Sequence, residues 1–323
     1  MTELKEKLYQ MFILGTGEYC KTALKNGLGG VIFFTKDIQN PAQFKNLTEE
    51  IKTYAKISPF LSIDQEGGRV ERTENIHNGK KYLSAKFAYE KGLKFVETQT
   101  QEIAQELVSY GINLNFAPCI DTNTNPQNPI IGERAFSSNP NDVIEAEKIV
   151  TATYKEFGII PCVKHYPGHG DANADSHLTL PKIDLSLAKM EQIHIKPFKA
   201  SIENGIDMIM AAHLHCTCFE KEEIPTSLSK TALDYLRNKL NFNGVIISDD
   251  MVMKGVAKFG EVDACIMGIK AGINIFIYRF ADNKTIDIIE EVYNKAITDH
   301  ELQTKIEQSY TKIISLKQKY LFK

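Results

Sequence analysis

The stretch Gly244-Val245-Ile246-Ile247-Ser248-Asp249-Asp250-Met251 is an apolar, β-branched run that opens on glycine and stops on two adjacent carboxylates. A run this short reads as a strand buried on both faces, not as a helix. Seven further runs resemble it: Gln10–Leu14, Gly30–Phe34, Phe60–Asp64, Ile112–Pro118, Pro161–His165, Asp207–His213 and Ile273–Tyr278. Between them lie amphipathic helical patterns at Pro41–Lys56, Phe87–Tyr110, Asn141–Phe157, Leu187–Asn204, Lys230–Leu240 and Asp282–Ile297. Strict alternation of strand and helix implies parallel pairing with right-handed crossovers. Eight such units predict a closed α/β (β/α)8 TIM-type barrel, with a doubly wound open sheet as the competing fold. Glu301–Tyr320 reads as an added C-terminal helix on the outside, so residues 1–323 are expected to form a single catalytic domain.

Composition narrows the partners. With 38 basic and 41 acidic residues the formal net charge is −3, and no basic block is present to track a phosphate backbone. Nucleic acid is not expected. The opening Met1–Gly15 holds an apolar run of only Met11 to Leu14, too short for a signal core or a membrane span. The 6 cysteines (Cys20, Cys119, Cys162, Cys216, Cys218, Cys265) are scattered, several inside apolar runs, as reduced core thiols would be. Both features predict a cytoplasmic protein with no membrane partner.

The reactive side chains fall at strand ends. Asp64 ends the third run, Asp121 follows the fourth, Lys164 and His165 end the fifth, His213 ends the sixth, and Asp249 with Asp250 ends the seventh. In a (β/α)8 barrel those ends share one face, where such folds carry their sites. Of the 8 histidines, His165, His169, His177, His213 and His215 lie in two of these regions. After Lys164-His165 comes a small-residue loop, Tyr166-Pro167-Gly168-His169-Gly170-Asp171-Ala172-Asn173-Ala174-Asp175-Ser176-His177. It can fold over a ligand and form a carboxylate–imidazole pair from Asp175 and His177. In Asp64-Gln65-Glu66-Gly67-Gly68-Arg69-Val70-Glu71-Arg72, the carboxylate and the arginines suit sugar hydroxyls. The Gly-Gly is not a phosphate loop, since no Lys-Ser/Thr follows. Successive strand side chains point to opposite faces, so only one of Asp249 and Asp250 should address the barrel axis. The other should cap the next helix or pair with the outer layer.

Four motifs in this order, IDQEGGRVER (63–72), IGERAF (131–136), KHYPGHGDANADSH (164–177) followed by Leu180-Pro181, and ISDDM (247–251), resemble the family 3 glycoside hydrolases. More narrowly the chain is similar to the bacterial β-N-acetylglucosaminidases of peptidoglycan recycling, the NagZ type, along nearly its whole length. That resemblance implies Asp249 as nucleophile, His177 as general acid/base and Asp175 as its dyad partner. It also implies Asp64, Arg72, Arg134, Lys164 and His165 as sugar-binding residues. The chain departs from the pattern at Tyr166, where Phe is usual, at Ala135, where Ser is common, and at Asn274, where Asp is usual. The implied substrate is terminal β-1,4-linked N-acetylglucosamine on a muramic or anhydromuramic sugar, with no cofactor and no metal. Two other enzymes fit the same residues. In a phosphorylase, phosphate would discharge the intermediate in place of water. In a metal-dependent hydrolase, His213 and His215 beside Cys216 and Cys218 would be ligands. A sugar-binding module with a relic site would lack the nucleophile, the acid or its partner, and all three are present.

Overall fold

The computed structural model describes residues 2–77, 79–172 and 180–322. Among these residues ten strands follow one another: β1 (Phe12–Leu14), β2 (Gly30–Phe33), β3 (Phe60–Ile63), β4 (Leu114–Asn115), β5 (Ile160–Tyr166), β6 (Lys182–Ile183), β7 (Met208–Ala211), β8 (His215–Cys216), β9 (Val245–Asp250) and β10 (Ile275–Tyr278). Eight of them close in the order β1-β10-β9-β7-β5-β4-β3-β2. The seam pairs the first and last strands in parallel, Phe12 opposite Phe276 and Leu14 opposite Tyr278. Closure rules out the open sheet, and the fold is the (β/α)8 barrel. Each of the eight apolar runs supplies one staff, because a strand buried on both faces needs apolar residues at successive positions.

Differences from the sequence reading lie at element ends. Gln10 finishes the first helix, Glu3–Gln10, and its buried amide donates to the Gly27 carbonyl at 2.5 Å, so β1 starts at Phe12. β4 has two paired residues because Pro118 brings no N–H to the ladder, although Ile120 still donates to the Lys164 carbonyl at 2.8 Å. The run expected to reach His213 leaves the barrel after Ala211. β6 and β8 then form a separate two-stranded parallel sheet. The helix expected over Phe87–Tyr110 is two, Ala85–Glu90 and Leu93–Ser109, broken at Gly92 with φ 100°. The one expected over Leu187–Asn204 is likewise Leu187–Gln192 and Lys196–Glu203, with Pro197 opening the second.

The C-terminal helix, His300–Tyr320, follows the eighth barrel helix, Asn283–Ala296, as the expected addition. It reaches under the barrel, where buried Lys317 donates to Gln10 and to the Gly29 carbonyl, each at 2.8 Å. Nearby, Asn274 accepts from Arg237 (2.7 Å) and the Ile246 N–H (2.9 Å) and donates to Ser309 (3.0 Å). This polar knot closes the N-terminal end and leaves the other end for the site. Among the described residues, no helix is long and apolar enough to cross a membrane.

Candidate active site

A cavity of about 430 Å³ opens at the C-terminal ends of the strands. Ile32, Met210 and Ile277 line it from β2, β7 and β10, Lys164, His165, Asp249 and Asp250 come from β5 and β9, and Asp64 directly follows β3. Polar groups converging on a partly apolar concavity of this size suit a small ligand.

Lys164 organises one wall. Its ammonium, 2% exposed, lies 2.7 Å from Asp64 Oδ1 and 2.6 Å from Glu66 Oε1. Glu66 in turn accepts two hydrogen bonds from Arg134, Nε at 2.9 Å and Nη2 at 2.8 Å. The turn after β3 makes this possible: the Glu66 and Gly67 N–H groups fold back onto the Val70 carbonyl, and Gln65 is clamped through its backbone by the Asn115 amide (3.0 and 2.9 Å). Burial opposes charge on Glu66, but Arg134 and Lys164 outweigh it and hold the carboxyl well below its ordinary range. Glu66 is therefore ionised and occupied, and is no candidate for a general acid.

His165 is held from behind. Fully buried Asp121 accepts from its Nδ1 at 2.7 Å and from the His169 N–H at 2.6 Å, leaving His165 Nε2 3.3 Å from Arg134. Burial works against the Asp121 charge, and His165 and His169 outweigh it, so this carboxyl is also lowered. His169 lines the cavity, yet among the described residues neither of its ring nitrogens has a hydrogen-bond partner. Burial pulls its pKa down to about 4, so the ring is neutral at pH 7.

The two aspartates of β9 have different surroundings. Asp249 lines the cavity and accepts the Asp250 N–H at 2.7 Å. Burial opposes its ionisation, and His165, His213, the Asp250 N–H and Lys164 together hold its pKa below the ordinary value. Asp250 is pushed the other way by burial, despite an ion pair to Arg279 Nε. It also caps the next turn through the Val252 N–H at 3.1 Å. The expected division between the pair is only partial: both line the cavity, Asp250 caps a turn and not the next helix, whose N-cap is Met253, and its ionic partner stands on the cavity rim, not in the outer layer. A register shift between β9 and β10 opposite Ile275 and Ile277 accompanies both aspartates lining the cavity.

The loop after β5 is anchored up to Ala172. Thr124 donates to Asp171 at 2.9 Å, and Asn128 donates to the His169 carbonyl at 2.8 Å. A Cβ on Gly168 (φ +116°) would lie 2.6 Å from the His194 Cβ, and one on Gly170 would lie 1.7 Å from the Thr122 carbonyl oxygen. His177 and Asp175 lie outside the described residues.

The histidines of the second region are not in the cavity lining. His213 donates from Nε2 to the Asp250 carbonyl at 3.1 Å and contacts Ser227 at 2.7 Å. His215, carried off on β8, donates to the Glu220 carbonyl at 3.0 Å. Among the described residues they form no ligand cluster with Cys216 and Cys218. The group that does gather is Cys119, Asp121 and His165, within 4.8 Å of one another. Its atoms are engaged with each other: the Cys119 thiol lies 3.2 Å from Asp121 Oδ2, the atom that accepts from His165.

Comparison with known proteins agrees with this fold. The family described as "Glycosyl hydrolase family 3 N terminal domain" matches residues 3–316. The chain belongs to glycosyl hydrolase family 3. A relative named β-hexosaminidase A from Pseudoalteromonas piscicida is 33% identical over 319 residues, covering 90% of this chain and 53% of that protein. A β-hexosaminidase of Neisseria meningitidis serogroup C (strain 053442) is 33% identical over 270 residues, covering 81% and 74%. The structure of a family 3 β-N-acetylglucosaminidase from Paenibacillus sp. str. FPU-7 superposes with a TM-score of 0.92 at 28% identity, covering 99% of this chain and 63% of that one. The chain thus spans about half the length of the first curated relative and under two thirds of that solved chain. Within this family 3 barrel, Glu66 and Asp121 are the organising groups that the sequence reading left without a role.

Proposed function

We propose that the chain is a retaining β-N-acetylglucosaminidase that removes one terminal sugar at a time, as a single catalytic barrel spanning residues 1–323. The observation that carries this reading is the different engagement of the β9 carboxyls at the cavity: Asp250 pairs with Arg279 and accepts the Val252 N–H, whereas Asp249 lines the cavity and accepts the Asp250 N–H at 2.7 Å. Asp249, ionised, attacks C1 and forms a glycosyl ester while the leaving oxygen takes a proton. The donor in this reading is His177, with Asp175 favouring its charged form; both roles rest on the family resemblance. The same imidazole, now neutral, accepts a proton from water as the water attacks C1, which frees Asp249 and restores the starting state. Asp64, Arg72, Arg134, Lys164 and His165 grip the hydroxyls of the terminal sugar. Because these groups wall off one side, cleavage is exo.

The resemblance to the cell-wall recycling type makes a muramic or anhydromuramic sugar the natural aglycone, with a peptide stem tolerated at the open rim. All six cysteines are free and five are buried, which supports a reducing, cytoplasmic setting. The decisive test is covalent trapping with a 2-deoxy-2-fluoro glycoside bearing a good leaving group. Peptide mapping should find the sugar on Asp249; no label, or a label on Asp250, would overturn the assignment.

A further inference from the structure

Glu71, His77 and Glu106 form a second charged cluster, and none of them is in the cavity lining. Glu71 and His77 belong to the long connection after β3, whereas Glu106 stands on the helix Leu93–Ser109. His77 Nε2 lies 3.0 Å from Glu71 Oε1, and His77 Nδ1 lies 3.3 Å from both Glu106 Oε2 and Thr73 Oγ1. The imidazole is 5% exposed and its carboxylate partners 9% and 14%, so these charges meet largely out of water. The Tyr82 ring packs edge-on against the imidazole, centroids 5.3 Å apart, and Lys80 covers Tyr82 while pairing with Glu102 at 2.6 Å. Burial pushes the Glu71 carboxyl up, His77 opposes this, and Glu74 and Glu106 add to it. The arrangement is a tether and not a metal site, because a cation on one ring nitrogen would leave the carboxylate at the other unmet. With a proton on each nitrogen the ring pairs with both.

The tether matters because of the next residue. Arg72 follows Glu71 directly and is turned the other way, into the cavity. Little that the guanidinium itself touches aims it. Among the described residues its Nε is buried without a hydrogen-bond partner, its Nη1 is 3.5 Å from the Glu71 carbonyl, and its centre lies 5.9 Å from the Phe34 ring. A contact at 3.5 Å is at the limit of a hydrogen bond. The direction of Arg72 is therefore set through its backbone, which is held from two sides. Gln65 Oε1 accepts the Arg72 and Thr73 N–H groups at 2.8 and 3.3 Å, and the Glu71 side chain is tied through His77 to Glu106 on the neighbouring helix.

We propose that His77 is a positioning residue for substrate binding: it ties Glu71 to Glu106 and thereby holds Arg72 where the terminal sugar is gripped. The inference rests on the glycosidase reading above, in which Arg72 contacts that sugar, and adds to it the group that aims the contact. Arg72 touches substrate and His77 does not. Loss of the tether therefore weakens ground-state and transition-state binding alike, and it leaves the reacting atoms at Asp249 in place.

The test is a double-mutant cycle read on 4-nitrophenyl β-N-acetylglucosaminide. His77→Phe keeps a ring against Tyr82 but pairs with neither carboxylate. It should raise KM by about 5- to 20-fold, with kcat within about twofold of wild type, as the misdirection of one charge-assisted contact allows. In an Arg72→Ala background the same substitution should change kcat/KM by less than about twofold, because the group it acts through is gone. His77→Gln, whose amide can still donate to one carboxylate, should fall between wild type and His77→Phe. Glu106→Ala cuts the tether from the helix side and should repeat the pattern in both backgrounds, which keeps the test open if His77→Phe does not fold. An unchanged KM in the variants that fold would overturn the proposal, and so would a loss in kcat/KM that persists undiminished without Arg72, which is the mark of a merely structural role. Either result would leave the glycosidase reading intact. Failure of the wild-type protein to hydrolyse the substrate would instead remove that reading, and the role of His77 with it.

Discussion

Replacing Glu66 by Gln tests whether the wall of the cavity is an electrostatic unit. The carboxylate is 5% exposed and serves two cations, Lys164 at 2.6 Å and Arg134 at 2.8 Å. Removing one partner of a buried pair costs about 3–5 kcal/mol, since the remaining charge is left uncompensated. Here Lys164 keeps Asp64 at 2.7 Å, so Arg134 bears most of the loss and about 2–4 kcal/mol is expected at pH 7. The folded-state pKa of Glu66 lies below its unfolded value. Its stabilisation is therefore complete above the unfolded carboxyl range, near ~4.3, and is lost as pH falls through the folded value. Urea denaturation at pH 7 and at pH 3.5 should show the deficit of Glu66→Gln shrinking on acidification. On the kinetic side, Arg134 loses its bidentate clamp but the reacting atoms are untouched, so KM should rise roughly 10-fold or more while kcat falls less. Glu66→Asp, which keeps the charge, should recover part of both. A Glu66→Gln protein as stable as wild type at both pH values, with unchanged KM, would refute the description of this wall.

Three other outcomes are expected. His177→Ala should lose most of the roughly 10²–10⁴-fold that general acid catalysis supplies on substrates with basic leaving groups, and azide should restore turnover of activated ones as a β-glycosyl azide. Equal slowing of both substrate types, with no azide effect, would move the acid elsewhere. Arg237 has only carbonyl and amide acceptors at 2.6 to 2.9 Å, and burial pulls its pKa down to about 10. Asn274→Asp should therefore stabilise the fold by about 1–2 kcal/mol at pH 7, a gain that shrinks at pH 3.5 in thermal melts as the pH approaches the lowered folded-state pKa; destabilisation at pH 7 would contradict it. Dialysis against EDTA should leave activity unchanged, because Cys119, Asp121 and His165 are bound to one another; loss reversed by zinc would contradict it.

The barrel was legible because each staff is an apolar run that a water-exposed segment would not tolerate, and these runs alternate with helical stripes. Element ends were not legible: Gln10 reads as strand until its amide is seen to hold the Gly27 carbonyl. His213 and His215 look like a pair in the sequence, yet the chain turns out of the barrel after Ala211 and sends His215 to another sheet. No local pattern encodes that departure. Arg134 sits on a long irregular connection in a single 3-10 turn, so only the family motif could have found it. Glu66 did carry a signal. It is two residues from Asp64, and continued alternation places both on one side, as their shared partner Lys164 bears out.

The same contacts bear on which carboxylate reacts. A carboxylate already committed to a cation is a poor nucleophile, because bond formation must break the ion pair in a site of low dielectric. Glu66 is committed to Arg134 and Lys164, Asp64 to Lys164, Asp121 to His165, and Asp250 to Arg279. Among the described residues, Asp249 is the cavity-lining carboxylate with no such partner within 4.0 Å, although His165 and Lys164 are near enough to help keep it ionised. Among the described residues its close donor is the Asp250 N–H, which can hold one oxygen while the other stays available to C1. The network that pairs its neighbours thus leaves this carboxylate both charged and uncommitted, which is the condition a displacement at C1 requires.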